Sequence, residues 1–266
     1  MHILDDRFRG EGPTFVIDSG PREALPVLLL HGSAFNSVTW MGDVAEWGHE
    51  FRVLAVDVIG HAGLSAASRP PYDSERYASW LDDVLAGLRL ERTAIVGLSL
   101  GGWIALDYAV RRPRRVACLV LLSPGGLGRE LRSSLGLLLG VLPWLLLGER
   151  GRRRAMLKIL GPSAVPDSPA ARVVANFSTL IAKHFRQNLK KVTLFSDAAL
   201  ARLTMPVLAI LGGRDPMLDS SETRRRLETH LPHIEVRYLP DVGHAVLGQT
   251  AVIAGFLRRC AAPPPS

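Results

Sequence analysis

Short, unbroken apolar runs recur along the chain, and each ends in a turn carrying glycine or a polar residue. Val27–Leu30 runs into His31-Gly32, Phe51–Val56 into Asp57, and Thr93–Val96 into Gly97-Leu98-Ser99-Leu100-Gly101. Val116–Leu122 runs into Ser123-Pro124-Gly125, and Pro206–Leu211 into Gly212-Gly213-Arg214-Asp215. Runs that do not alternate with polar residues suit strands buried on both faces of a parallel sheet. Between them lie helical patterns. Tyr77, Leu81, Val84, Leu85 and Leu88 recur at three-and-four spacing, and Gly102–Val110 is small and apolar, as a helix packed on a sheet should be. Ser221–His230 and Thr250–Arg259 fit outer helices. Alternation of this kind predicts an α/β fold, a mostly parallel central sheet flanked by helices.

One stretch breaks the rhythm. From Gly125 to Ala201 the pattern holds no buried strand, only leucine-rich and arginine-rich helical segments. It reads as an inserted helical cap, residues 125–201, over a core domain made of residues 1–124 and 202–266. Thr14–Asp18 is the one clear strand before the Val27 run, and Ala261–Ser266 reads as a frayed tail.

Composition narrows the function classes. A hydrophobic fraction of 47% excludes a mainly disordered chain. Cys118 and Cys260 are too few for a disulfide framework or a cysteine-based zinc site. The net charge of +7 comes mostly from the clusters Arg111–Arg115, Arg150–Arg154 and Arg224–Arg226, with no aromatics interleaved as a nucleic-acid groove would need. They read as solvated helix faces, and no nucleic-acid partner is expected. The longest uncharged apolar run, residues 133–148, falls short of the about 20 residues of a membrane span. With acids at Asp5 and Asp6 where a signal peptide needs basic residues, the expected location is the cytoplasm.

The chemistry gathers at the turns. Ser99 lies in G-x-S-x-G between an apolar strand and a helix, a context that projects a serine hydroxyl above the sheet as a nucleophile. The amide of Leu100, at the helix start, is free to bind an oxyanion. The base is assigned to His244, behind Gly243 in the loop after Val236–Leu239, and the orienting acid to Asp215. Asp215 also reads as a helix cap ahead of Pro216. Asp241, three residues before the histidine, is its rival. A second oxyanion donor is expected from His31-Gly32-Ser33-Ala34, with Ser33 first and Ala34 second, and His31 itself as a structural loop histidine. Ala34, Trp40 and Trp144 are the candidate substrate-binding residues. No metal and no organic cofactor is expected, because the triad carries the protons itself.

These motifs together resemble the α/β-hydrolase fold superfamily, and the resemblance spans nearly the whole chain. They are His31-Gly32-Ser33 with Trp40 downstream, Asp57-Val58-Ile59-Gly60-His61-Ala62-Gly63-Leu64-Ser65, Gly97–Gly102, Gly213-Arg214-Asp215 and Gly243-His244, in the family's order. The resemblance implies an oxyanion loop, a nucleophile elbow, a triad and a helical cap. The family's D-x-x-G-x-G-x-S loop carries one extra residue here, Ala62, and Asp57 within it reads as structural. The family's first strand is expected to be reduced or absent. Serine at 99 argues against the carboxylate-nucleophile dehalogenases and epoxide hydrolases of similar scaffold. The loop after His31 lacks the glycine-proline-glycine of ring-fission C–C hydrolases, and the elbow lacks the G-G-S-W-G of proline iminopeptidases.

What this implies is a serine carboxylesterase-like hydrolase acting on small-molecule esters, with the apolar insertion favouring apolar acyl groups. A C–C bond hydrolase, an acyl-transfer or cyclisation enzyme, and a non-catalytic ligand receptor are the alternatives on the same fold. The sequence leaves open whether the chain forms a homodimer.

Overall fold

The apolar runs become the strands of a single sheet. The structure, a computed structural model, describes residues 11–131 and 190–262 throughout, the backbone of 2–4, and scattered positions between 136 and 188. Among the described residues eight strands pair in the order β1-β2-β4-β3-β5-β6-β7-β8. They are β1 (His2–Leu4), β2 (Thr14–Ser19), β3 (Pro26–Leu30), β4 (Arg52–Val56), β5 (Thr93–Leu98), β6 (Val116–Leu122), β7 (Val207–Gly212) and β8 (Ile234–Leu239). β4, β3, β5, β6, β7 and β8 run parallel, while β2 is antiparallel to both its neighbours. The family's first strand is present, as only three residues.

The pleat divides the apolar residues of each strand between two cores. Leu28, Leu30, Leu54, Val56, Ile95, Leu119 and Leu121 face one side, with helices α2 (Arg76–Gly87) and α3 (Leu100–Arg111). Val27, Leu29, Val53, Ala55, Val96, Val120 and Ile210 face the other, with α1 (Met41–Trp47) and the last helix (Thr250–Ala261). α3 is buried from Leu100 to Val110, which explains why its sequence has no polar face. Each fully buried leucine of these clusters contributes about 1.5–3 kcal/mol, and Leu28→Ala would cost about 2–5 kcal/mol. Among the described residues outside segment 125–184, two further helices are α4 (Asp197–Leu200) and α5 (Ser220–His230), and the last helix just given is α6.

The differences from the sequence reading are local. α3 begins at Leu100, not Gly102, because the turn at Ser99 is tight enough to start the helix at once. Ala261 closes α6 and is not part of a frayed tail. α1 was not anticipated; its seven residues are too few for a periodic signal. Of the insertion, every described residue from 136 to 184 is helical except Leu147, which is in a turn. Leu135, Leu137, Leu138, Val141, Leu142, Leu145, Leu146, Arg152 and Arg153 lie outside the described residues.

The topology positions the site. The chain steps from β3 outward to β4, then crosses back to β5 on the other side of β3. The carboxyl ends of β3 and β5 therefore diverge at a switch point, where open α/β sheets hold their ligands. Leu30 pairs with Gly97 across that point, so the loop after β3 faces the turn after β5.

Candidate active site

Ser99 is the strained residue of the β5–α3 turn, with φ 54° and ψ −111°. Left-handed backbone at a serine costs about 1–3 kcal/mol and persists only where the surroundings over-determine it. Here they do. Ser99 donates its amide to Leu122 O at 2.8 Å, and its carbonyl accepts from Trp103 at 3.0 Å and Gly125 at 3.2 Å. A side chain at Gly97 would collide with the Gly101 carbonyl, and one at Gly101 with the carbonyl of Leu30. Both glycines of the motif are thus required by close backbone approach. No side chain caps α3, so its first amides, Leu100's among them, are left for a group lying over Ser99.

Asp215 and His244 come together although 29 residues separate them. His244 Nδ1 is 2.6 Å from Asp215 Oδ2, and both residues are buried. The other carboxylate oxygen accepts from the amides of Met217 at 2.8 Å and Leu218 at 3.0 Å. The two sequence readings of Asp215 therefore coexist, one oxygen holding the turn and the other the imidazole. Hydrogen-bonding to a carboxylate keeps the proton on Nδ1 and leaves Nε2 as an acceptor. A side chain at Gly212 would strike the Gly243 carbonyl, which shows how closely the β7 end and the His244 loop approach. Asp241 points elsewhere: it pairs with Arg214 at 2.7 Å, both side chains largely exposed. Among the described residues no hydrogen bond joins the Ser99 hydroxyl to His244. β5, β7 and β8 bring the three residues to the same edge of the sheet.

The loop after β3 lies against the elbow. A Cβ on Gly32 would stand 3.4 Å from Ser99 Cβ, in van der Waals contact with the serine side chain. Ser33 is exposed, and among the described residues its amide has no protein acceptor. Ala34 is left-handed at φ 58° and donates its amide to His61 Nδ1 at 3.4 Å. His31 Nδ1 donates to Gly32 O at 2.8 Å, and its Nε2 accepts from Val58 N at 2.9 Å. Burial pushes its pKa down to about 4, partly offset by the Gly32 carbonyl and by Asp57. Asp57 accepts from the amides of Ser37 and Leu64, each at 2.8 Å, and so ties the loop after β4 to the loop after β3.

Of the residues assigned to substrate, Ala34 is half-buried beside the elbow loop. Trp40 is 3% exposed and packs in the core with Val27, Leu29 and Trp47, because a 3-10 turn over Ser37–Trp40 rolls its ring inward. Trp144 is half-buried under the Arg154 guanidinium, 5.3 Å from the ring centroid. Phe185, Val192 and Thr193 reach the same edge of the sheet. Val192 lies beside Gly125, Trp103 Nε1 donates to Thr193 O at 2.8 Å, and Phe185 packs on His61. His61 stood inside a recognised motif without a role. Its signal was position alone, in the loop that Asp57 organises.

The model of the alpha/beta hydrolase family matches residues 27–255, and the chain belongs to that family. An uncharacterized carboxylesterase, nap, of Bacillus subtilis is 30% identical over 246 residues, covering 88% of this chain and 78% of that protein. The solved naproxen esterase of Bacillus subtilis superposes with a TM-score of 0.77 at 26% identity, covering 97% of this chain and 90% of that one. A 2-hydroxy-6-oxo-2,4-heptadienoate hydrolase of Pseudomonas putida is 29% identical over 245 residues, covering 88% of this chain and 86% of that protein. No helix among the described residues is long and apolar enough to cross a membrane.

Proposed function

We propose that this protein is a serine carboxylesterase that cleaves small apolar esters through an acyl-enzyme on Ser99. The observation that carries the reading is the buried 2.6 Å hydrogen bond between His244 and Asp215, at the sheet edge that also bears the strained Ser99 turn. Ser99 Oγ attacks the acyl carbon while its proton passes to His244 Nε2, and Asp215 stabilises the imidazolium so formed. The amides of Leu100 and Ser33 receive the negative charge on the carbonyl oxygen. The C–O bond then breaks, and the alcohol leaves with the proton from His244. Water, deprotonated by the same imidazole, releases the acid and restores Ser99. Segment 125–201 covers the site as a cap, a role supported by the contacts of Phe185, Val192 and Thr193 with the core.

A fluorophosphonate reagent tests the reading directly. It should label Ser99 and no other serine, and p-nitrophenyl butyrate should be hydrolysed by the wild type but only at residual rate by Ser99→Ala. Full labelling and full activity in that variant would overturn it.

The Pseudomonas putida relative favours a second reading, cleavage of a C–C bond next to a carbonyl by the same residues. Turnover of a 2-hydroxy-6-oxo-dienoate far faster than of any ester would select it.

A further inference from the structure

His61 is buried at the meeting point of three segments, and nothing in the triad chemistry uses it. The turn that carries it is closed by Gly60 N to Ala66 O at 2.8 Å and His61 N to Val58 O at 3.2 Å. On one side the edge of its ring meets His31, centroids 5.9 Å apart at 78°. On another lies Phe185 of the insertion, at 6.0 Å and 32°. Arg69 locks this stack. Its guanidinium covers Phe185 at 5.1 Å and donates to Gly60 O at 3.0 Å and to Arg186 O at 2.6 Å. The ring thus has little freedom to turn.

Its chemistry is as constrained as its place. Burial, with His31 and Arg69 nearby, pushes its pKa down to about 3, so the imidazole is neutral near pH 7. A neutral imidazole has one donor and one acceptor nitrogen. Nδ1 accepts the Ala34 amide, so the proton is on Nε2. No carboxylate contacts the ring among the described residues, which separates it from His244 and makes it a poor base.

The partner is what matters. Ala34 has φ 58°, a conformation that costs a residue with a Cβ about 1–2 kcal/mol and needs an anchor. Resting on the esterase reading, we propose that His61 is a positioning residue for acyl transfer. By accepting the Ala34 amide it holds the His31–Ala34 loop so that the Ser33 amide, and not that of Ala34, faces the oxyanion formed at Ser99. The structure thereby chooses between the two donors that the sequence left as alternatives. It also gives the insertion a part in catalysis: Phe185 and Arg69 keep the imidazole in register.

The test uses the full chain and three variants, with p-nitrophenyl butyrate as substrate and an alkyl trifluoromethyl ketone as the oxyanion-forming inhibitor. Loss of one oxyanion donor costs about 10²–10³ in kcat, and a loosened loop should cost less, about 10- to 100-fold. In His61→Leu, kcat should fall by that factor with KM changed no more than about twofold, and the ketone should weaken in parallel. His61→Asn, which returns an acceptor oxygen near the Nδ1 position, should recover most of the loss; His61→Phe, which keeps the ring against Phe185 without the acceptor, should not. Wild-type kcat in His61→Leu, an effect on KM alone, or no rescue by Asn overturns the proposal. If the leucine variant does not fold, the phenylalanine variant gives the same decision. Independently, ¹⁵N spectra of the wild-type histidine rings should show one buried neutral ring protonated on Nε2, where the buried rings of His31 and His244 carry the proton on Nδ1; its absence overturns the tautomer and the proposal with it. Absence of ester turnover and of Ser99 labelling in the wild type overturns both this role and the esterase reading. Turnover with an unaffected His61→Leu overturns this role alone.

Discussion

Two regions at the carboxyl edge of the sheet each bury histidine, and they do so to opposite ends. On the β7–β8 side, His244 is held through Nδ1 by the Asp215 carboxylate. On the β3–β4 side, His31 and His61 have only backbone partners among the described residues. The nearest acid, Asp57, has both oxygens committed to the amides of Ser37 and Leu64. Desolvation therefore dominates there, and both imidazoles are driven neutral, to about 4 and about 3. On the proposed mechanism one pair of loops carries charge for a moment, while the other fixes backbone in place and stays neutral. Residue type is the same on both sides, and the placement of a single carboxylate oxygen separates them.

The largest expected effect comes from removing that oxygen. Asp215→Asn should lower kcat on p-nitrophenyl butyrate by about 10⁴-fold, the loss that follows when a triad acid no longer holds the correct tautomer. KM should change little, because the carboxylate does not touch substrate. A loss smaller than about tenfold would mean that the buried hydrogen bond is structural and that another group orients the base.

The first side was legible in the sequence and the second was not, for a physical reason. Ser99, Asp215 and His244 each follow an apolar strand, and the roles proposed for them rest on short local patterns that survive without knowledge of the fold. The Ala34–His61 contact joins residues 27 apart through an irregular turn, and no periodicity or motif spacing encodes it. Trp40 illustrates the same limit: an aromatic in a loop near a nucleophile invites a binding role, but one 3-10 turn decides whether the ring faces outward or into the core. The buried strands and their mostly parallel sheet followed from the runs, whereas β1 with three residues and α1 with seven carry too few positions for any pattern.

A second expected effect sharpens the contrast through stability. The buried neutral histidines must be protonated when the chain unfolds in acid, since the unfolded side chain titrates at 6.5. Between pH 6.5 and about 4 the unfolded state binds protons that the native state refuses, so stability falls as pH falls. Tm should therefore fall as the pH is lowered from 7 towards 5. Asp43 and Asp107, raised by burial, work the other way near the acid end. The clean window is therefore pH 6.5 to 5, and there His61→Asn should show a shallower slope of Tm against pH. An unchanged slope would mean that His61 is not held neutral by the fold.

Substrate preference should respond more gently. If the apolar insertion lines the pocket, each added methylene of the acyl chain contributes about 0.8 kcal/mol, or about fourfold in kcat/KM. The profile should rise from acetyl to medium-chain esters at constant leaving group and fall once the chain outgrows the space. A flat or falling profile would reject an apolar acyl site. A steep loss of rate with added salt on neutral esters would point instead to the exposed arginines, Arg150 and Arg154 among them.

The smallest expected effect falls on the acid that sequence proximity would have favoured. Asp241 stands three residues before His244, close enough in the chain to compete with Asp215 for the imidazole. Its carboxylate instead meets Arg214 at 2.7 Å, with side-chain exposures of 77% and 62%. Exposed ion pairs contribute at most about 1 kcal/mol, because water screens both charges and holding two side chains together costs entropy. Asp241→Asn should therefore leave kcat and KM within about twofold of wild type and Tm within about 4 °C. The double variant Asp215→Asn/Asp241→Asn should be no slower than Asp215→Asn alone, since residues that share no partner act independently. If the Asp241 change were the crippling one, the loop after β8 would have to turn inward during catalysis. His244 would then take its orientation from its own loop instead of from the end of β7, and the contrast between the two sides of the sheet edge would rest on a movable carboxylate and no longer on a fixed one.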